Sequence, residues 1–111
     1  MPHRPGLVVG QGASPGLVRG RARVVLDLVA MPELSKGEVL VATNAAPRWT
    51  PLFPVLGALV LDEGSLAQHA AATAREYGLP AVIRTHNGTR QIRDGDWVVV
   101  DGTAGTVQTD G

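Results

Sequence analysis

A compact, strand-rich α/β domain is the fold class this sequence predicts, and three observations carry it. Short apolar runs of strand length recur along the chain, with turn signals such as Asp94-Gly95 and Asp101-Gly102 between the later ones. One stretch, residues 66–77, has the composition of a good helix. The chain has 111 residues, 44 % hydrophobic and only 4 % aromatic, which suits one domain with a core of Val, Leu, Ala and Ile. A domain of that length buries about two thirds of its unfolded surface, so a genuine core is available. No internal repeat or linker divides it, and residues 1–111 are read as a single domain.

Residues 1–6 read as a flexible lead-in and Leu7-Val8-Val9 as a short strand. Gly10-Gln11-Gly12-Ala13-Ser14-Pro15-Gly16 reads as a loop. It matches neither GxxxxGKS/T nor a GxGxxG that opens a helix, so a tight structural turn is favoured over a phosphate cradle. Residues 17–28 alternate with period 2, Val18, Gly20, Ala22, Val24 and Leu26 against Arg19, Arg21, Arg23, Val25 and Asp27. They predict a long half-buried strand with a basic outer face. That arginine row is a solvated strand face in the plainer reading and a phosphate contact in the sharper one. Residues 31–37 are a polar connector, and Glu38-Val39-Leu40-Val41-Ala42 is a buried strand. Prolines at 47, 51 and 54 rule out a long helix but allow a single turn near Pro47, with Trp49 and Phe53 as i, i+4 partners that read as core anchors ahead of ligand stackers.

Ala58-Leu59-Val60-Leu61 predicts the next strand. Asp62 and Glu63 are adjacent, so in extended chain they point to opposite faces and form no carboxylate dyad. A Gly64-Ser65 turn then leads into the helix of residues 66–77. Ser65 and Gln68 fit the capping box at its start. Ala70, Ala71, Ala72 and Ala74 are small enough to let the helix lie close against a sheet. Gly78 stops it, Pro80 blocks its continuation, and a strand follows at Ala81-Val82-Ile83. Residues 84–90 read as a polar loop containing His86 and Asn87-Gly88, and Gln91-Ile92-Arg93 as extended chain. Trp97-Val98-Val99-Val100 is read as a buried strand and Thr106-Val107-Gln108-Thr109 as the last one.

Composition closes off several function classes. Ten basic residues balance ten acidic ones, which argues against broad nucleic-acid binding, a property of basic surfaces. The absence of cysteine excludes disulfides, thiolate catalysis and Cys-based zinc sites. No apolar run approaches the roughly 18 residues of a membrane helix. The first residues lack the apolar centre of a signal peptide. A soluble cytoplasmic protein is expected, with neither nucleic acid nor membrane as partner.

Three histidines remain to be weighed. His3 lies in the lead-in and His86 in a polar loop, and no His spacing suits a metal site. His69 differs by position, in the first turn of a helix that follows a buried strand. Backbone N–H groups point outward there and the helix dipole favours negative charge. A neutral imidazole nitrogen at such a place can act as a nucleophile near pH 7. On the residues alone, His69 is either that nucleophile or a histidine packed at a helix end.

The segment from Gly64 to Val82 has His69 followed by Ala70-Ala71, then Ala74-Arg75-Glu76-Tyr77-Gly78-Leu79-Pro80-Ala81-Val82. It resembles the phosphohistidine signature of the PEP-utilising enzyme mobile domain. That family includes phosphoenolpyruvate synthase, pyruvate phosphate dikinase, the phosphotransferase-system enzyme I and rifampicin phosphotransferase. The likeness extends to Gly12-Ala13-Ser14-Pro15-Gly16, Val18-Arg19-Gly20-Arg21-Ala22 and Gly37-Glu38-Val39-Leu40-Val41-Ala42. It continues at Pro47-Arg48-Trp49-Thr50-Pro51-Leu52-Phe53, Ile92-Arg93-Asp94-Gly95-Asp96 and Val100-Asp101-Gly102-Thr103-Ala104-Gly105.

The resemblance implies a swivelling β/β/α phosphohistidine domain in which His69 takes a phosphoryl group from a nucleotide-bound domain. The group then passes to an acceptor such as pyruvate, water or a small molecule. It implies no cofactor on this chain, with ATP and Mg2+ on a partner domain. The implied partners are the nucleotide-binding and acceptor-binding domains or subunits of a phosphotransferase, and the chain is expected to be inactive alone. Gly64, Ser65, Gln68 and Arg75 are the residues it suggests for phosphate support. Arg75 either supports the helix or touches phosphate, and it reads equally well as a structural partner of Glu63 or Asp62. Two departures stand out: Gly64-Ser65 where the family usually has two glycines, and Gln68 where it usually has Ser or Thr. They leave a second reading, a non-catalytic relative that docks to a partner or regulates it.

Overall fold

Val39-Leu40-Val41-Ala42 and Ala58-Leu59-Val60-Leu61 are buried at every position, and the molecule is layered around them. Continuous apolar runs of this kind suit parallel strands covered on both faces. The computed structural model describes residues 6–26, 32–63 and 67–109, with the side chains of residues 67 and 68 left out. In chain order its strands are β1 (Gly6–Val9), β2 (Gln11–Ser14), β3 (Leu17–Val25), β4 (Val39–Ala42), β5 (Ala58–Leu61), β6 (Ala81–Ile83), β7 (Trp97–Asp101) and β8 (Thr106–Thr109). A 3₁₀ helix, Pro47–Val55, precedes β5; helix α1 (Ala67–Glu76) joins β5 to β6, and a short α2 (Gly88–Gln91) follows β6.

The strand order is β1-β8-β7-β3-β4-β5-β6-β2. β3 belongs to two sheets. Its first half pairs antiparallel with β7, from Leu17↔Asp101 to Arg21↔Trp97, and its second half pairs parallel with β4, from Ala22↔Val39 to Val25↔Ala42. One face of β4, β5 and β6 presents Val39, Val41, Ala58, Val60 and Val82 to Val8, Val98, Val100 and Val107 of the antiparallel sheet. The other presents Leu40, Ala42, Leu59, Leu61, Ala81 and Ile83 to Ala70 and Ala74 of α1 and to Trp49 and Phe53 of the 3₁₀ helix. Strand alternation thus sorts valines to the sheet–sheet layer and leucines largely to the helix layer. The result is an α/β fold with the layers β/β/α.

Five local readings need correction. Residues 11–14 form β2, not a loop, antiparallel to β6 with an irregularity between Gly12 and Ser14. Gly12 permits this, because a side chain there would collide with the carbonyl oxygen of Gly102. The proline segment makes nine residues of 3₁₀ helix, not a single turn, and buries Trp49 and Phe53 as anticipated. Residues 88–91 are helical and not part of a loop and extended strand. β7 is half-buried: Trp97 is 42 % exposed while Val98 and Val100 are buried. The lead-in begins its strand at Gly6, and residues 1–5, with His3, lie outside the described residues. Among the described residues no helix is long and apolar enough to cross a membrane.

Candidate functional site

Parallel strands β4, β5 and β6 end together at Ala42, Leu61 and Ile83, and open α/β sheets bind ligands beyond such carboxyl ends. Pairing continues past the strand ends: Asp62 N–H donates to Ala42 O at 3.0 Å, Glu63 N–H to Thr43 O at 3.0 Å and Thr85 N–H to Leu61 O at 3.2 Å. The chain then passes in five residues from Leu61 to α1. His69 is the third residue of that helix, and its side chain is exposed. Neighbouring Ala70 and Ala71, with Ala74 one turn on, are 5 %, 1 % and 0 % exposed. The helix is therefore seated by its alanines, and His69 stands on the solvent side at the sheet's carboxyl edge.

The far end of α1 is closed by a Schellman motif. Leu79 N–H donates to Ala74 O at 2.8 Å and Gly78 N–H to Arg75 O at 3.2 Å, with Gly78 at φ +66°. Arg75 lies near this end, six residues from His69 and so about 9 Å along the axis. Its Nη1 donates to Ala13 O of β2 at 2.6 Å. The anticipated Arg75 contacts with Glu63 or Asp62 do not form; the guanidinium fastens the helix to β2 instead. Gln68 lies in the first turn of α1, but its side chain is not described. Gly64 and Ser65, with the Ser65–Gln68 capping box, fall outside the described residues.

Asp62 has a role that sequence reasoning missed. It is 4 % exposed, and Oδ1 accepts from Thr85 Oγ1 at 2.7 Å and from Thr89 N–H at 3.1 Å. Oδ2 accepts from Thr89 Oγ1 at 2.5 Å. One carboxylate thus ties the end of β5 to the loop after β6 and to the start of α2. Gly88 lets α2 come this close, since a Cβ there would sit 2.7 Å from Thr85 Oγ1. Beside it, Asn44 Nδ2 donates to Glu63 Oε2 at 3.5 Å. Asp62 and Glu63 therefore have separate partners, in keeping with two carboxylates on opposite faces. The loop that Asp62 holds contains Arg84 at φ +57° and exposed His86 at φ +65°. Left-handed backbone costs a residue with a side chain roughly 1–3 kcal/mol.

The arginine row of β3 is not at this edge. Arg19 and Arg21 lie over the Trp97 ring, 4.7 and 5.2 Å from its centroid, in an open groove with Lys36, Gly37 and Glu38 at the amino end of β4. Among the described residues no group of three or more His, Asp or Glu side chains gathers to hold a metal ion.

Comparison with known proteins decides the family. Residues 34–105 match the family model described as PEP-utilising enzyme, mobile domain. The chain belongs to that family. Rifampicin phosphotransferase of Streptomyces sviceus is 47 % identical to this mobile domain over 103 residues, 93 % of this chain and 12 % of that protein. Chondramide synthase of Chondromyces crocatus is 50 % identical over 100 residues, 90 % of this chain and 3 % of that protein. The mobile domain thus spans a small part of the relatives it matches. The solution NMR structure of the Enzyme I (nEIt) protein superposes with a TM-score of 0.64 at 31 % identity, covering 70 % of this chain and 32 % of that one.

Proposed function

We propose that this mobile domain is a phosphohistidine carrier in which His69 accepts a phosphoryl group and hands it on. The observation that carries the reading is the exposure of His69 in the first turn of a helix whose neighbouring alanines are buried. An unprotonated ring nitrogen there donates its electron pair to phosphorus. The N–P bond forms as the P–O bond to the leaving group breaks, and that bond's electron pair departs with the leaving oxygen. The other ring nitrogen releases its proton to solvent. Transfer to an acceptor oxygen reverses these steps. Such transfer depends chiefly on positioning and charge stabilisation, which a small rigid body supplies.

The donor is a nucleoside triphosphate with Mg2+, held on another domain of the same protein or on a partner subunit. The acceptor, whether pyruvate, water or another small molecule, binds elsewhere again. The short share of each relative that this domain matches supports that division of labour. Gly64, Ser65 and Gln68 surround the helix start in sequence and are the candidates for backbone or side-chain support of the phosphoryl group.

The test is labelling with phosphoryl-labelled ATP and the nucleotide-binding domain of a phosphotransferase relative. The expected product is an acid-labile, alkali-stable phosphate that His69→Ala removes while the fold stays intact. If the wild-type chain takes no label under conditions where the relative's own mobile domain does, the carrier reading fails. The non-catalytic docking relative then stands in its place.

A further inference from the structure

The loop after β6 contains a feature that the carrier reading leaves unexplained. Arg84 and His86 are the non-glycine residues with positive φ among those described. A glycine would adopt either conformation without steric cost. The left-handed backbone is imposed from the middle. Thr85 is 2 % exposed, and its hydroxyl donates to Asp62 Oδ1 at 2.7 Å, with Leu61 O at 3.3 Å as the weaker arm of a shared bond. His86 N–H donates to Asp62 O at 3.0 Å and Asn87 N–H to Thr85 O at 2.7 Å. All these bonds use the backbone or the threonine. Arg84 is exposed and its side chain makes no hydrogen bond or ion pair with a described residue. Among the described residues, then, nothing uses the side chain for which this backbone cost is borne.

Its place suggests the task. The bonds from Thr85 and His86 to Leu61 and Asp62 fasten the loop after β6 to the end of β5. Arg84 therefore leaves the sheet at the edge from which the chain runs into α1 and His69. Arg75 is near the other end of α1 and engaged with Ala13. We propose that Arg84 is the cation that meets the phosphoryl group at His69. This rests on the carrier reading. As the N–P bond forms and the P–O bond to the leaving nucleotide breaks, charge spreads over three equatorial oxygens. A guanidinium offers paired N–H donors that match two of them, and it exchanges no proton.

Substitution by glycine separates placement from structure, because the two effects have opposite signs. In the labelling assay above, Arg84→Gly should lower kcat for phosphorylation of His69 about tenfold. KM for the donor domain should be unchanged. The same substitution should raise Tm by about 4–8 °C, as relief of left-handed strain in a domain of this size requires. Arg84→Lys, which keeps the charge and loses the fork, should fall between. His86→Gly should raise Tm and leave labelling as in wild type. A labelled wild type with Arg84→Gly labelled equally fast overturns the proposal and spares the carrier reading. So does a rise in KM alone, which would make Arg84 a docking contact, or an equal loss in His86→Gly, which would assign the effect to loop stiffness. A wild type without label at His69 overturns both.

Discussion

Two neighbouring stretches show how differently single residues announce themselves. The position of His69 was legible because its signal is local: a buried strand, a turn, a small-residue helix and one histidine in the first turn. Asp62 was not, because its meaning lies in Thr85 and Thr89, 23 and 27 positions away. In the sequence it was only half of an acidic pair; in the structure it is the buried acceptor on which three donors converge. Asp62→Ala should therefore cost about 2–4 kcal/mol, since it takes the acceptor from the Thr89 hydroxyl and N–H group and leaves the Thr85 hydroxyl only its longer contact with Leu61 O. A shift of the urea midpoint at unchanged slope measures it. A loss below about 0.5 kcal/mol, the ordinary range for surface changes, would show that the carboxylate clamps nothing. The partner of Arg75 was missed for a related reason. That partner, Ala13 O, belongs to a glycine-rich run that did not look like a strand.

At the scale of elements, apolar pattern and stop signals were readable, and geometry supplied by distant backbone was not. β4, β5 and α1 follow from continuous apolar runs, small residues and Gly78. β2 has Gln11-Gly12-Ala13-Ser14 and no apolar alternation; it is a strand because glycine lets it press against Gly102. α2 has no apolar period either; its N-cap residue Asn87 makes no side-chain cap bond, and the Thr89 N–H is met instead by the carboxylate of Asp62. In the proline segment the i→i+3 pattern of 3₁₀ helix, as in Leu56 N–H to Phe53 O at 3.2 Å, accommodates residues that an α-helix would not. The stop of α1 gives a clean test. Gly78 has φ +66° and nothing within 4 Å of where a Cβ would go, so Gly78→Ala meets conformational strain without a clash. The expected loss is about 1 kcal/mol, read as a drop in Tm of about 4–8 °C. A variant that melts with wild type would remove the left-handed cap from the account of how α1 ends.

For the whole molecule, the question is where a carrier's movement resides. The layers share one continuous order of strands, and β3 belongs to both sheets, so neither sheet can rotate without breaking its pairing. Both faces of β4 and β5 are packed, against the second sheet on one side and α1 on the other. If His69 travels between a donor and an acceptor, the domain travels with it as one body. A covalent staple inside the domain should then leave transfer intact. Leu7 of β1 and Gln108 of β8 are exposed cross-strand partners in register. Opposed residues of an antiparallel pair have Cα atoms roughly 4.5–5.5 Å apart, within the span of a disulfide. Leu7→Cys with Gln108→Cys should form that bond on oxidation and raise Tm. The rate at which His69 takes label should be the same before and after reduction by dithiothreitol. The staple fixes the outer edge of the antiparallel sheet, well away from α1 in the strand order. A label rate that falls on oxidation and recovers on reduction would locate a working motion within the antiparallel sheet, at its β1–β8 edge, and the rigid-carrier picture would have to be given up.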